Sequence, residues 1–381
     1  MKSKRSRVQD IIVSFDKGIL FSYIGLCLIG LLVMLDISSM QSSMQNFYRH
    51  LVFLVISFVT VVVVLYFFDL QKLRFLNKYM ILAVILLLIL VLVQKAEVKG
   101  ATRGLRLGFI NLQPSFLARF ALIFFFAGFL ENKEQELRNA GLKEFLIGFM
   151  PLVLYTIVIF VLVFMEKHLS TLIIGGATLL GMLVYAGMKK RLIVLILGLG
   201  LVAGSLVILK GEEYRSDRLK TFLTYNLFVP DRPEPENSSK EYQVRESLTA
   251  LTSGGLLGMG VSRGRAKHYF LPEARTDYIY TIIGEEFGFL GAFLVLALHA
   301  LIFFKAFKLA ERQENAYYKY LCAGLAMNIF LNALVNTGVA MSILPSTGNT
   351  LPFISYGGTA LLVDSASIGV ILNISARRRQ L

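Results

Sequence analysis

The feature that most restricts this chain is the recurrence of apolar runs of about 17 to 25 residues, the length at which a helix crosses a ~30 Å hydrocarbon core. Such runs lie near residues 18 to 36, 50 to 68, 79 to 94, 114 to 130, 146 to 165, 169 to 187, 191 to 209, 278 to 304, 320 to 343 and 356 to 374. In lipid every backbone N–H and C=O must be satisfied within the segment, so each run reads as a helix. With 56% hydrophobic and 17% charged residues in 381 positions, too little polar sequence is left over for a separate soluble domain. The fold expected is an all-α polytopic membrane protein of ten transmembrane helices.

Charge orients the bundle. Lys72, Arg74 and Lys78, Lys133, Arg138 and Lys143, Lys189 to Arg191, Lys305, Lys308 and Arg312, and Arg377 to Arg379 all fall on the side of the basic N-terminus (Lys2, Lys4, Arg5, Arg7). Short loops rich in Lys and Arg stay in the cytoplasm, so both termini are expected there. The expected division is a basic, amphipathic N-terminus (1–17, with a surface helix over Val8 to Phe15), helices 1 to 7 (18–209), one large extracytoplasmic loop (210–277), helices 8 to 10 (278–374) and a basic tail (375–381). Topology and attraction to anionic lipid account for the net charge of +14, so no nucleic-acid partner is implied. The first run is read as a retained anchor, since it lacks a small-residue cleavage site.

One loop disobeys the charge rule. Residues 95 to 113 should be outside yet carry Lys95, Lys99, Arg103 and Arg106, which fits either an anionic ligand at the outer face or ordinary scatter. The second half of the large loop, from Tyr242, reads as a short interfacial helix followed by Gly-punctuated turns. Asn328, Asn332 and Asn336 recur every four residues and form a polar stripe facing the bundle interior, as packing contacts or as a groove lining. "LPSTGNTLPFISYGG" (344–358) has two prolines and three glycines, so its backbone must be packed in protein or line a wet cavity.

Carboxylates at membrane depth are costly and mark candidate sites. Asp277, where the loop meets a span, suits either a helix N-cap or a general base. Along a regular helix Glu285 lies about 80° round from Asp277, and Glu286 on the opposite side, so Glu285 alone can share its groove while Glu286 suits pairing with a cation. Arg119, inside the fourth span, requires a partner such as Asp364. His168, on a short external turn, is placed to titrate, but no second ligand of metal-site spacing lies near it. Walker, GxSxG and HExxH motifs are absent, and Cys27 and Cys322 both fall in spans.

Four ordered stretches, "GATRGLRLGFINLQPS" (100–115), "YQVRESLTALTSGGLLGMG" (242–260), "LPEARTDYIYTIIGEEFGFLG" (271–291) and "LPSTGNTLPFISYGGTALL" (344–362), resemble the SEDS family (shape, elongation, division and sporulation), across essentially the whole chain. The resemblance implies a peptidoglycan glycosyltransferase that polymerises lipid II, with Asp277 on the family's essential acidic position as general base. It implies substrate contacts from Arg103, Arg106, Gln113, Arg275, Glu285 and Ser355. A divalent cation (Mg or Mn), a class B penicillin-binding transpeptidase and other divisome or elongasome membrane proteins are the cofactor and partners expected, with a division role favoured over elongation. A lipid II flippase and a non-catalytic scaffold are the alternatives. The chain departs from the family's usual Trp, Glu, Asp and Lys at Gly104, Phe116, His168 and Met259.

Overall fold

The computed structural model describes residues 10–40, 44–94, 97–98, 101–102, 104–107, 110–209, 213–226, 228–229, 239–267 and 271–380. The elements are β1 (Asp10–Ser14), α1 (Lys17–Met40), α2 (Gln45–Phe67), α3 (Leu70–Gln94), β2 (Glu97–Val98), β3 (Ala101–Thr102), β4 (Leu105–Leu107), β5 (Ile110–Leu112), α4 (Pro114–Asn139), α5 (Leu142–Gly148), α6 (Met150–Met165), α7 (Leu169–Tyr185), α8 (Lys190–Leu209), α9 (Glu213–Tyr225), α10 (Ser239–Ser253), α11 (Ile279–Glu311), α12 (Ala316–Ala340), α13 (Gly358–Ser375) and β6 (Arg377–Gln380).

Among the described residues seven helices (α1 to α4 and α11 to α13) are long and apolar enough to cross a membrane, or eight if the bent pair α5 and α6 is one span. That pair turns through 76° at Phe149, where Pro151 in the first turn of α6 cannot donate to the preceding helix. The chain is a multi-pass helical membrane protein. α4, α12 and α13 form its centre, with 72%, 72% and 78% of their apolar windows buried, against 28 to 39% for α1, α2, α3 and α11. The outer helices turn Leu28, Phe58, Phe75, Leu86, Phe293 and Phe304 outward, as helices that meet lipid do.

Close approach in the centre uses small residues and amide side chains. Gly30 on α1 lies against the backbone of Ile354: a Cβ there would come within 2.8 Å of the Ile354 Cα. Asn373 donates to the carbonyls of Val64, Leu65 and Phe68 (2.8, 3.1 and 2.9 Å), satisfying acceptors left free at the end of α2. Residues 344–357 turn back into the bundle: the Phe353 ring packs edge-on to Tyr23 and stacks on His299, and His299 also meets the Pro352 carbonyl at 3.3 Å.

The two ends of the chain meet. β1 pairs antiparallel with β6, Asp10 opposite Gln380 and Ile12 opposite Arg378. The surface helix expected over Val8 to Phe15 is therefore corrected over its described part: the β-branched run Ile11 to Val13 is extended and its strand finds backbone partners in the tail. β4 and β5 pair antiparallel, Leu105 opposite Leu112, and the helix expected from Tyr242 is α10.

Candidate active site

The loop that carries Asp277 is held from two directions. Within it, Glu273 adopts a left-handed backbone (φ 57°), and its carbonyl accepts the N–H groups of Thr276, Asp277 and Tyr278 at 3.0, 3.2 and 3.3 Å. Against its flank, three consecutive carbonyls are each taken by a different donor. Arg275 O accepts from Tyr356 N (2.9 Å), Thr276 O from Ser355 Oγ (2.7 Å) and Asp277 O from Asn336 Nδ2 (3.0 Å). The N-cap of α11 is Tyr278, with no side-chain cap bond, so Asp277 is not the cap that its sequence position suggested. The Asp277 side chain is partly exposed.

Two cations lie near it. Arg275 is partly exposed and forms no ion pair among the described residues. Arg218, on α9, donates to the Ser346 carbonyl at 2.8 Å. Both Asp277 and Arg218 act electrostatically on the buried Tyr278 hydroxyl, in opposite senses.

Ser355 is buried. Its hydroxyl, besides donating to Thr276 O, accepts from Leu351 N at 2.8 Å, so both its uses are backbone contacts. Gln113 stands just before α4, with its backbone N–H donating to Thr359 Oγ1 at 3.1 Å; the same hydroxyl donates to Asn111 O at 2.9 Å, tying the β4–β5 pair to α13. Arg103 lies outside the described residues. Arg106 lies in β4, opposite Asn111.

Glu286 pairs with a cation as the helical wheel implied, but Glu285 does not share a groove with Asp277, because Asp277 precedes the helix and the Glu285 side chain is buried. Glu285 accepts backbone N–H groups of Arg265 (2.7 Å) and Ala266 (3.3 and 3.2 Å), so its carboxylate is occupied by the chain itself. Glu286 pairs with Lys267, and the same ammonium pairs with Asp36 on α1. Asp36 also accepts from Ser262 Oγ at 2.5 Å. The backbone completes the clamp: Met259 N and Gly260 N donate to the carbonyls of Glu285 and Glu286, each at 3.0 Å, and Gly288 interrupts α11 with φ 65°. Neither Lys267 nor Asp36 stood out in the sequence, since each is one charge in otherwise unexceptional surroundings.

The fourth-span cluster also differs from expectation. Arg119 lies over the Phe116 ring at 5.2 Å, with Nε and Nη1 unbonded, and no salt bridge joins it to Asp364, although the two act on each other electrostatically. His168 is buried rather than free to titrate on an external turn. Its Nδ1 meets Ser115 Oγ at 2.7 Å and Thr171 Oγ1 at 3.1 Å, and its ring meets Phe116 edge-on. No group of three His, Cys, Asp or Glu side chains able to hold a metal occurs among the described residues. A 310 Å³ apolar groove lies between α1 and α2, lined by Tyr23, Cys27, Leu31, Leu51, Val55 and Phe58 among others, and none of its lining residues belongs to the Asp277 cluster.

The sequence profile of the cell cycle protein family FtsW/RodA/SpoVE matches residues 16–380. The chain belongs to this family. Among FtsW/RodA/SpoVE relatives, it is 34% identical over 374 residues to the probable peptidoglycan glycosyltransferase FtsW of Coxiella burnetii, covering 95% of this chain and 96% of that protein. The Escherichia coli protein of the same name is 32% identical over 387 residues, covering 98% and 89%. Two solved structures share the fold: a chain of a peptidoglycan synthase complex that coordinates polymerization and crosslinking (TM-score 0.78, 24% identity, 95% and 98% covered) and the rod shape determining protein RodA of Thermus thermophilus (TM-score 0.68, 22% identity, 95% and 97% covered). Phe116 and His168, two of the four positions expected to depart from the family's usual residues, are in direct ring contact and so occupy one place in the fold.

Proposed function

We propose that this chain is a peptidoglycan glycosyltransferase that polymerises lipid II, with Asp277 as general base. The observation that carries the reading is a partly exposed carboxylate on a loop held by three adjacent carbonyl contacts, two residues from an arginine that forms no ion pair among the described residues. In the reaction the acceptor sugar's 4-hydroxyl attacks the anomeric carbon of the donor and gives its proton to Asp277. The bond from that carbon to the polyprenyl pyrophosphate breaks, and the pyrophosphate leaves with the electron pair. The leaving group needs its charge stabilised, a task suited to Arg275 together with Arg103 and Arg106, since a guanidinium can bind phosphate oxygens in pairs. The apolar groove between α1 and α2 suits part of a hydrocarbon tail.

A divalent cation is part of the same reading. With no three-ligand cluster among the described residues, a magnesium ion would be held by a single carboxylate and the substrate's own phosphates, a common arrangement for that ion. Ten spans follow if α7 and α8 cross the membrane in addition to the eight counted above. The segment between α8 and α11 then faces outward, and both termini lie in the cytoplasm of a bacterial inner membrane. A class B penicillin-binding transpeptidase is the partner proposed, by analogy with the synthase complex of the same fold.

Purified protein given labelled lipid II should yield glycan ladders that vanish in Asp277→Asn. Translocation of lipid II without polymer would instead identify a flippase, and an Asp277→Asn variant that restores growth to a deletion strain would identify a scaffold.

A further inference from the structure

We infer that Asn336 is a positioning residue for Asp277, acting through its backbone; the inference rests on the reading of Asp277 as general base. The Asn336 amide nitrogen has two hydrogens and spends both on main-chain carbonyls, one on Asp277 O at 3.0 Å and one on Asn349 O at 2.6 Å. Two carbonyl oxygens facing one group require a donor there, which settles which end of the amide faces the loop. Asn336 is buried, so water does not substitute for it.

The contact acts directly on the carboxylate's direction. Rotation about the bonds at Thr276 and Asp277 decides where the Asp277 Cβ points, and the carbonyls of Arg275, Thr276 and Asp277 report those rotations. All three are fixed to one wall formed by α12 and residues 349–356. Asn349 braces that wall in turn, donating from Nδ2 to Asn332 O at 3.1 Å. The asparagine stripe is thus not uniform. Asn336 holds the loop, whereas the Asn332 side chain has no hydrogen-bond partner and contributes only its backbone carbonyl.

A base must sit within hydrogen-bond reach of the hydroxyl it deprotonates, and a misplacement of about 1 Å costs on the order of 100-fold in rate. Steady-state kinetics with lipid II test the inference. Asn336→Ala should lower kcat by about 10- to 100-fold while the KM for lipid II changes by less than about threefold, because the loop moves but the substrate contacts remain. Asn332→Ala, on the same stripe, should leave kcat within about twofold. Ser355→Ala removes the neighbouring tether and should lower kcat in the same direction, which keeps the test readable if Asn336→Ala does not fold. Wild-type kcat in a folded Asn336→Ala, or a loss carried by KM alone, overturns the inference. So does wild-type kcat in Ser355→Ala where Asn336→Ala is unfolded. An active Asp277→Asn sinks the general-base reading itself, whereas an inactive Asp277→Asn beside a fully active Asn336→Ala sinks only the positioning role.

Discussion

Replacing Lys267 with methionine should destabilise the protein more than any other single change on the loop side of the bundle. The ammonium is fully buried and is shared by Asp36 and Glu286, which belong to helices 250 positions apart in sequence. Removing it leaves two buried carboxylates facing each other. Two acids that share one cation sit about 4 to 5 Å apart, where their repulsion at an effective dielectric of 20 is about 3 to 4 kcal/mol. Breaking a buried ion pair by deleting one partner costs about 3 to 5 kcal/mol by an independent route. An entropy of unfolding near 2.1 cal/mol/K per residue gives about 0.8 kcal/mol/K for 381 residues, so Tm should fall by about 4 to 6 °C. The assay is thermal unfolding in detergent micelles, followed by tryptophan-independent means such as far-UV circular dichroism, since the chain has no Trp. Lys267→Met/Glu286→Gln should recover about half the loss, because Asp36 keeps its Ser262 hydroxyl. A Lys267→Met Tm within 1 °C of wild type would refute the buried-charge reasoning.

Gly30→Ala should cost about 1 to 3 kcal/mol, since its Cβ meets the Ile354 backbone rather than a side chain that can swing away, and melting of the variant checks it. Arg275→Ala should raise the KM for lipid II about tenfold yet leave Tm unchanged within about 1 °C, because the side chain forms no ion pair among the described residues; an equal fall in Tm would count against a ligand role. Glu246 on α10 has its pKa raised, first by burial and then by the charge of Glu285. A carboxyl raised in the folded state weakens that state once it ionises, so Glu246→Gln should stabilise at pH 7, by no more than a few tenths of a kcal/mol after solvent screening, and the gain should fade as pH falls below about 4. Tm measured at the two pH values tests the sign.

The spans were legible because lipid imposes one rule on every segment: a helix must satisfy its own backbone. The runs at 18 to 36 and 356 to 374, for example, have ends within four residues of those of α1 and α13. What the wheel misjudged was local. It treated Asp277 and Glu285 as points on one cylinder, but the loop turns at Glu273, the helix begins at Ile279 and Gly288 breaks it. The partners of Glu285 and Glu286 come from residues 259–267, whose backbone bonds have no periodic signature. The same holds for Asn336. Its spacing announced a buried polar face, but not that a single member of the stripe would reach a carbonyl 59 positions away. His168 does sit on the turn between α6 and α7, but its burial was not foreseen, because it depends on Ser115 and Phe116, which arrive from another helix.

The break at Gly288 splits α11 into two mechanical pieces. Above it, residues 279–287 are stitched to the 254–267 segment, with Phe289 and Leu290 still donating across the break to Gly255 and Leu256 at 2.9 and 3.2 Å. Below it, the remaining two thirds of the helix runs beside α12 as an ordinary rod. A push on the longer rod can therefore be taken up as torsion at one glycine instead of being delivered intact to residues 279–287, which leaves the 254–267 cap free to keep its own geometry.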